Sequence, residues 1–252
     1  MTPRPRRHRF SVPADRAEFP PATDAAINPY RAGVEQNGHH VVTQADLGTH
    51  GIPARLFAAL IALAAWTGIG VHFHALADGP ASWPAVLWRL LGYFTITTNL
   101  LVAVVFTGVA AKARFATPWL LGATLLNIAL VGVVYALLLQ GLQELTGGSQ
   151  LANVLLHRVT PALTIVFWLA FVRKGTLTRR APLLWALYPL LYLVYALVRG
   201  SFEARYPYPF IDVARIGWAQ TLINSALIAL GFALAGEVLV WLDRRLGGAG
   251  KP

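Results

Sequence analysis

The sequence predicts an all-α fold: a polytopic membrane protein built as a six-transmembrane-helix bundle with a disordered N-terminal tail. Three observations carry that expectation. Hydrophobic residues fill 56% of the 252 positions and charged residues only 13%, and the mean hydropathy of +0.54 is far above that of an ordinary soluble domain. Apolar runs near the roughly 20 residues that a helix needs to cross a bilayer recur six times. Lys and Arg also alternate between rich and poor loops, the pattern that orients spans.

Composition removes several function classes. There is no cysteine, so disulfides, thiolate metal sites, iron–sulfur clusters and a cysteine nucleophile are excluded. The net charge of +10 reads as a topology signal beside the spans, and no nucleic-acid partner is expected.

Residues 1–53, opening "MTPRPRRHRFSVPADRAEFPP", combine Pro, Arg and Ala without apolar periodicity. They read as a disordered, basic cytoplasmic tail, and they lack the apolar core of a secretory signal. The transmembrane domain is expected over 54–246, followed by a short cytoplasmic tail at 247–252. Its spans run from Ala54 to Leu76, Leu87 to Ala110 and Pro118 to Gly141. The fourth opens at "NVLLH" and ends at "FVRKG"; the last two run from Ala181 to Val198 and from Trp218 to Leu242.

Lys112 and Arg114, then Arg173, Lys174, Arg179 and Arg180, then Arg244, Arg245 and Lys251 mark three cytoplasmic segments. The loops "ADGPASWPA" and "LQELTGGSQLA" contain neither Lys nor Arg and face outward. Arg199, Arg205 and Arg215 dilute this in the last outer loop, where Glu203 and Asp212 accompany them. The expectation is a multi-pass protein of the cell membrane with both termini in the cytoplasm.

Polar side chains in a span are costly and normally face the bundle interior, where they pair or do chemistry. In "GYFTITTNLL", Thr95, Thr98 and Asn99 share one helix face and Thr97 is rotated away. The second span runs inward from its outer end, so Thr95 lies roughly 12 Å below that end, and His157 in the fourth span lies roughly 6 to 9 Å deep. Pro161 removes a backbone hydrogen bond near the histidine.

A threonine hydroxyl needs an adjacent base, and a neutral imidazole can accept its proton. Thr95 and His157 are thus candidate nucleophile and base. Thr98 and Asn99 are supporting candidates, Asn99 to orient the histidine or to stabilise an oxyanion. The bland alternative is hydrogen bonding between helices.

Tyr188, Tyr192 and Tyr195 form one stripe of the fifth helix, continued by Arg199, and fit interhelical packing better than a cofactor box. With Tyr208, Phe210 and Asn224 they are the expected substrate-binding side chains. Glu237 in the last span is too far from Thr95 in depth to orient the histidine. His72 and His74 point to opposite sides of their helix and have no nearby carboxylate pair, so no metal site is expected. Phosphate-loop, dinucleotide and serine-hydrolase motifs are missing, and no cofactor is expected.

Together "YFTITTNLL", "LLHRVTP", "YPYPFIDVARIG" and "GEVLVWLD" resemble the six-helix bacterial and yeast relatives of the androgen-induced membrane protein family, over Arg55 to Arg245. The animal members are threonine hydrolases that cleave fatty acid esters of hydroxy fatty acids. The resemblance implies a nucleophile at Thr95 and a base at His157, acting on membrane lipids or a lipid-like ester. Spacings after both residues depart from the animal pattern by about one position, which keeps Thr98 as an alternative nucleophile. The topology puts the "YPYPF" loop, stiffened by Pro207 and Pro209, on the same outer side as Thr95 and His157, where it is expected to cap a pocket; interfacial anchoring by Tyr206, Tyr208 and Phe210 is the alternative. Two other functions fit the sequence: a non-catalytic protein that binds or moves a lipid or small apolar ligand, and a structural partner in a complex.

Overall fold

A computed structural model describes Gly48, Thr49 and residues 51–248. The tail expected over 1–53 falls almost wholly outside these described residues, as do 249–252 of the C-terminal tail. Helix starts follow proline, whose missing N–H costs nothing in a first turn: Pro53 in α1 (Ile52–Ala77), Pro84 in α2 (Trp83–Leu91) and Pro118 in α4 (Pro118–Val134). At α4 the Thr117 hydroxyl also accepts from the Leu120 N–H at 3.3 Å, an N-cap of the usual kind.

Among the described residues, five helical stretches are long and apolar enough to cross a bilayer: Ile52–Ala77, Pro118–Leu139, Gly147–Phe171, Ala181–Glu203 and Val213–Gly248. This is the architecture of a multi-pass membrane protein. The second expected span, Leu87 to Ala110, is not one straight helix. It divides into α2 and α3 (Phe94–Ala110), bent by 92°, because Tyr93 adopts an extended conformation after Gly92.

Helix α2 buries Val86 and Leu90 while Trp83, Leu87 and Trp88 stay exposed. It is an amphipathic cross-piece at the end of the bundle. Thr95 is therefore the second residue of α3, not a residue two turns into a continuous helix as the sequence predicts.

The fourth span also differs. It starts at Gly147, six residues before "NVLLH", and consists of α5 (Gly147–Val154), a π-helical turn (Leu155–Val159) and α6 (Thr160–Phe171). His157 then stands roughly 15 Å from the helix start rather than near it. The fifth span comprises α7 (Ala181–Trp185) and α8 (Leu187–Glu203), five residues longer than expected. In α9 (Val213–Gly248) the left-handed Gly217 (φ 74°) separates a first turn from the long helix, which begins at the predicted Trp218.

Small residues let the central helices approach closely. On α1, Ala54, Ala58, Ala62 and Ala65 are buried with Ile61, and the Arg55 Nε donates to the Ala110 carbonyl at 2.9 Å, which satisfies the end of α3. At Gly68 an added Cβ would lie 2.6 Å from Leu156 Cδ2 and 3.2 Å from Leu155 Cβ, so this glycine seats the π turn against α1. At the basic end, the buried Asp243 carboxylate accepts from the Leu177 N–H at 2.8 Å. Helices α8 and α9 expose rows of Leu and Val, the surface that lipid requires.

Gly68→Val is expected to cost roughly 1–3 kcal/mol through overpacking against the π turn. A thermal melt of the purified protein in detergent would then move several degrees down; an unchanged melt would mean that the contact yields.

Candidate active site

The break at Tyr93 exposes the first N–H groups of α3, which inside a membrane must find acceptors. The Tyr93 carbonyl accepts from Ile96 N at 3.1 Å and Thr97 N at 3.2 Å. The Thr95 N–H donates to the Tyr208 hydroxyl at 3.3 Å. Tyr208 arrives from the segment after α8, between Pro207 and Pro209. Its ring stacks on Phe210 at 5.2 Å and meets Tyr93 edge-on at 6.0 Å.

His157 comes from the π turn. Pro161 has no N–H to offer the His157 carbonyl four residues back, and the widened turn instead bonds Thr160 N to the Leu155 carbonyl. Nδ1 of His157 lies 3.2 Å from the Asn153 carbonyl and Nε2 lies 3.2 Å from Thr95 Oγ1. A carbonyl can only accept, so Nδ1 carries the proton and Nε2 turns its lone pair to the threonine hydroxyl.

The Tyr135 ring, at the start of a second π turn (Tyr135–Leu139), stacks on the imidazole at 4.3 Å. Its hydroxyl accepts from Asn153 Nδ2 at 2.6 Å. Asn153 thus fixes the histidine through its carbonyl and the stacking ring through its side chain.

Thr95 and His157 stand together, and Tyr208 closes the group with its hydroxyl 3.4 Å from Thr95 Oγ1. The supporting candidates behave differently. Asn99 does not touch the imidazole: Nδ2 donates to the carbonyls of Thr95 at 2.9 Å and Leu156 at 3.1 Å, and Oδ1 accepts from Thr160 Oγ1 at 2.7 Å. Both amide hydrogens are occupied, so it positions the two segments rather than facing an oxyanion. Thr98 is fully buried and its hydroxyl has no partner among the described residues. Thr97 bonds back to the Phe94 carbonyl at 3.1 Å.

A cavity of ≈ 140 Å³ lies beside Thr95, between α4, α8 and α9 and under the Tyr208–Ile211 segment. Thr95, Tyr192, Tyr208 and Phe210 line it, with Phe94 and Phe232. His157 reaches Thr95 without lining the cavity. Tyr188 stands outside its wall and packs on Phe94 at 5.4 Å. Tyr195 also stands outside, its hydroxyl accepting from Arg199 Nη1 at 2.8 Å. Asn224 holds the cap instead, donating to the Phe210 carbonyl at 3.0 Å.

Glu237 is exposed on α9, and His74 pairs with Asp78 at 3.2 Å on the surface. Among the described residues no three His, Asp or Glu side chains converge on a metal position. Sequence reasoning misses Tyr135, Asn153 and Thr160. Asn153, four residues before His157, carries a readable spacing signal, whereas Tyr135 carries none. No protein-family model, curated protein or solved structure matches this chain.

Asn99→Ala removes three buried hydrogen bonds and is expected to destabilise the protein by about 2–4 kcal/mol. Thr98→Val replaces an unpartnered hydroxyl with a methyl group and should be neutral or stabilising, within about 1 kcal/mol. Parallel melts of the two variants check both; a larger loss in Thr98→Val than in Asn99→Ala contradicts the assignment of partners.

Proposed function

We propose that the protein is an integral membrane hydrolase that cleaves a lipid ester with Thr95 as nucleophile and His157 as base. The observation that carries this reading is the Thr95 Oγ1–His157 Nε2 contact of 3.2 Å, with the opposite ring nitrogen held on a carbonyl. Such a pair is the activated-hydroxyl arrangement generalised from other hydrolases.

The reaction begins as Nε2 takes the Thr95 proton and Oγ1 bonds to the ester carbonyl carbon. Negative charge collects on the former carbonyl oxygen. The Tyr208 O–H and the positive N-terminal end of α3 supply stabilisation there. Collapse breaks the bond to the alcohol, which leaves with the proton from His157. Water then gives its proton to Nε2 and attacks the threonyl ester; the acid departs as Thr95 regains its hydrogen. Tyr135 and Asn153 hold the imidazole orientation through both halves.

The apolar cavity beside Thr95 fits a hydrocarbon chain entering from the bilayer between α8 and α9. The four quoted motifs support distant kinship with the androgen-induced membrane protein family. Lys and Arg cluster at the end of the bundle that holds residues 111–117 and 172–180, which supports a cytoplasmic position for that end and an outward-facing site. A second reading, a non-catalytic lipid binder, is favoured by one observation: His157 is not part of the cavity wall.

A fluorophosphonate probe on the detergent-purified protein separates the two readings. Labelling is expected on Thr95, lost in Thr95→Ala and His157→Ala, kept in Thr98→Val and slowed about 10- to 100-fold in Tyr208→Phe. An unlabelled wild type that still binds lipid favours the second reading. Orientation has its own test, because the chain has no native cysteine. In intact cells an impermeant maleimide should label Ala81→Cys, and Thr178→Cys only after permeabilisation; the reverse pattern overturns the topology.

A further inference from the structure

A second cavity, of ≈ 260 Å³, lies at the same end of the bundle and has a different chemistry. Its lining brings together Arg89 of α2, Arg199 and Glu203 of α8, and Arg205 of the following segment, beside Trp88 and Tyr206. These include two of the arginines that interrupt the charge pattern of the outer loops.

Arg199 is already occupied. Its Nε donates to Glu203 Oε1 at 2.8 Å, its Nη1 donates to the Trp88 carbonyl at 2.8 Å, and its guanidinium lies 4.2 Å from the Trp88 ring. Trp88 Nε1 also donates to Glu203 at 2.7 Å, so this group clamps α8 to the cross-piece α2. Gly92 leaves the space: a Cβ there would come within 2.8 Å of Arg199 Nη1. Arg89 and Arg205 make no ion pair among the described residues. With Glu203 neutralising Arg199, the cavity keeps two uncompensated positive charges.

The cavity shares a wall with the one beside Thr95. Gly92, Tyr93, Tyr206 and Pro207 line the basic side; Phe94, Thr95 and Tyr208 line the apolar side. The exposed indoles of Trp83 and Trp88 on α2 belong at the level of lipid headgroups. A basic cavity and an apolar cavity therefore meet at the boundary between headgroup and chain.

We propose that this cavity binds the phosphate of an anionic phospholipid headgroup between Arg89 and Arg205. Two separate guanidiniums suit a phosphate, whose several oxygens can be shared between donors from opposite sides; a carboxylate is satisfied by one guanidinium fork. Binding here needs no turnover at Thr95.

The test uses the full chain, stripped of lipid in nonionic detergent, and measures retention of phosphatidylglycerol against diacylglycerol and inorganic phosphate. Phosphatidylglycerol is expected to bind at least tenfold more tightly than diacylglycerol. The double variant Arg89→Gln/Arg205→Gln should lose about tenfold or more, with an unchanged melt because both side chains are exposed. Thr95→Ala should bind as the wild type does, which separates this site from the proposed chemistry. Equal binding of phosphatidylglycerol by the double variant, or equal binding of diacylglycerol by the wild type, overturns the proposal. Inorganic phosphate that binds as tightly as the lipid would make the site one for a free anion and overturn the lipid assignment.

Discussion

Within a bilayer every backbone N–H and C=O needs a partner from the protein itself, and the candidate site of this chain is organised around that constraint. Breaking the chain at Gly92–Tyr93 frees the first N–H groups of α3. Tyr93 turns its own carbonyl to two of them, and the hydroxyl of Tyr208 takes the Thr95 N–H. The segment that carries Tyr208 is held down in this way, and the same phenol comes within reach of the Thr95 hydroxyl. A requirement of membrane folding and a geometry suited to chemistry are met by one side chain.

The π turn around His157 obeys the same rule from the other direction. Pro161 withholds a donor, and the helix widens instead of leaving a sharp kink. The wider turn directs Nδ1 of the imidazole onto a backbone carbonyl. Asn99 then ties the two irregular places together, with its amide on one carbonyl from each. Irregular backbone in membrane helices is tolerated where protein surrounds it, and Gly68 and Gly132 bring α1 and α4 close enough to surround this one.

Helices α8 and α9 are the least enclosed part of the bundle. They bound the apolar cavity on the lipid side, while α2 lies across the end of the bundle with indoles outward. Regular helices thus form the walls of the cavity, and the Tyr208–Ile211 segment forms its roof. Asn224 joins roof to wall through the Phe210 carbonyl.

By itself the sequence determines the all-α class, five of the six spans to within a few residues at most ends, and the shared polar face of Thr95, Thr98 and Asn99. These are legible because hydropathy over a span and the 3.6-residue period are local properties. The broken second span is not legible as a break: Gly92 and Tyr93 sit in a run whose average hydropathy remains high, and a window average cannot register one extended residue. Nor does periodicity decide between Thr95 and Thr98, which share a face but differ in what stands opposite. Which of the two meets His157 belongs to tertiary structure, because the histidine, Tyr135 and Tyr208 arrive from other segments and the π turn sets the imidazole's reach. Long-range placement of this kind depends on packing between helices distant in the chain, for which a local pattern carries no record.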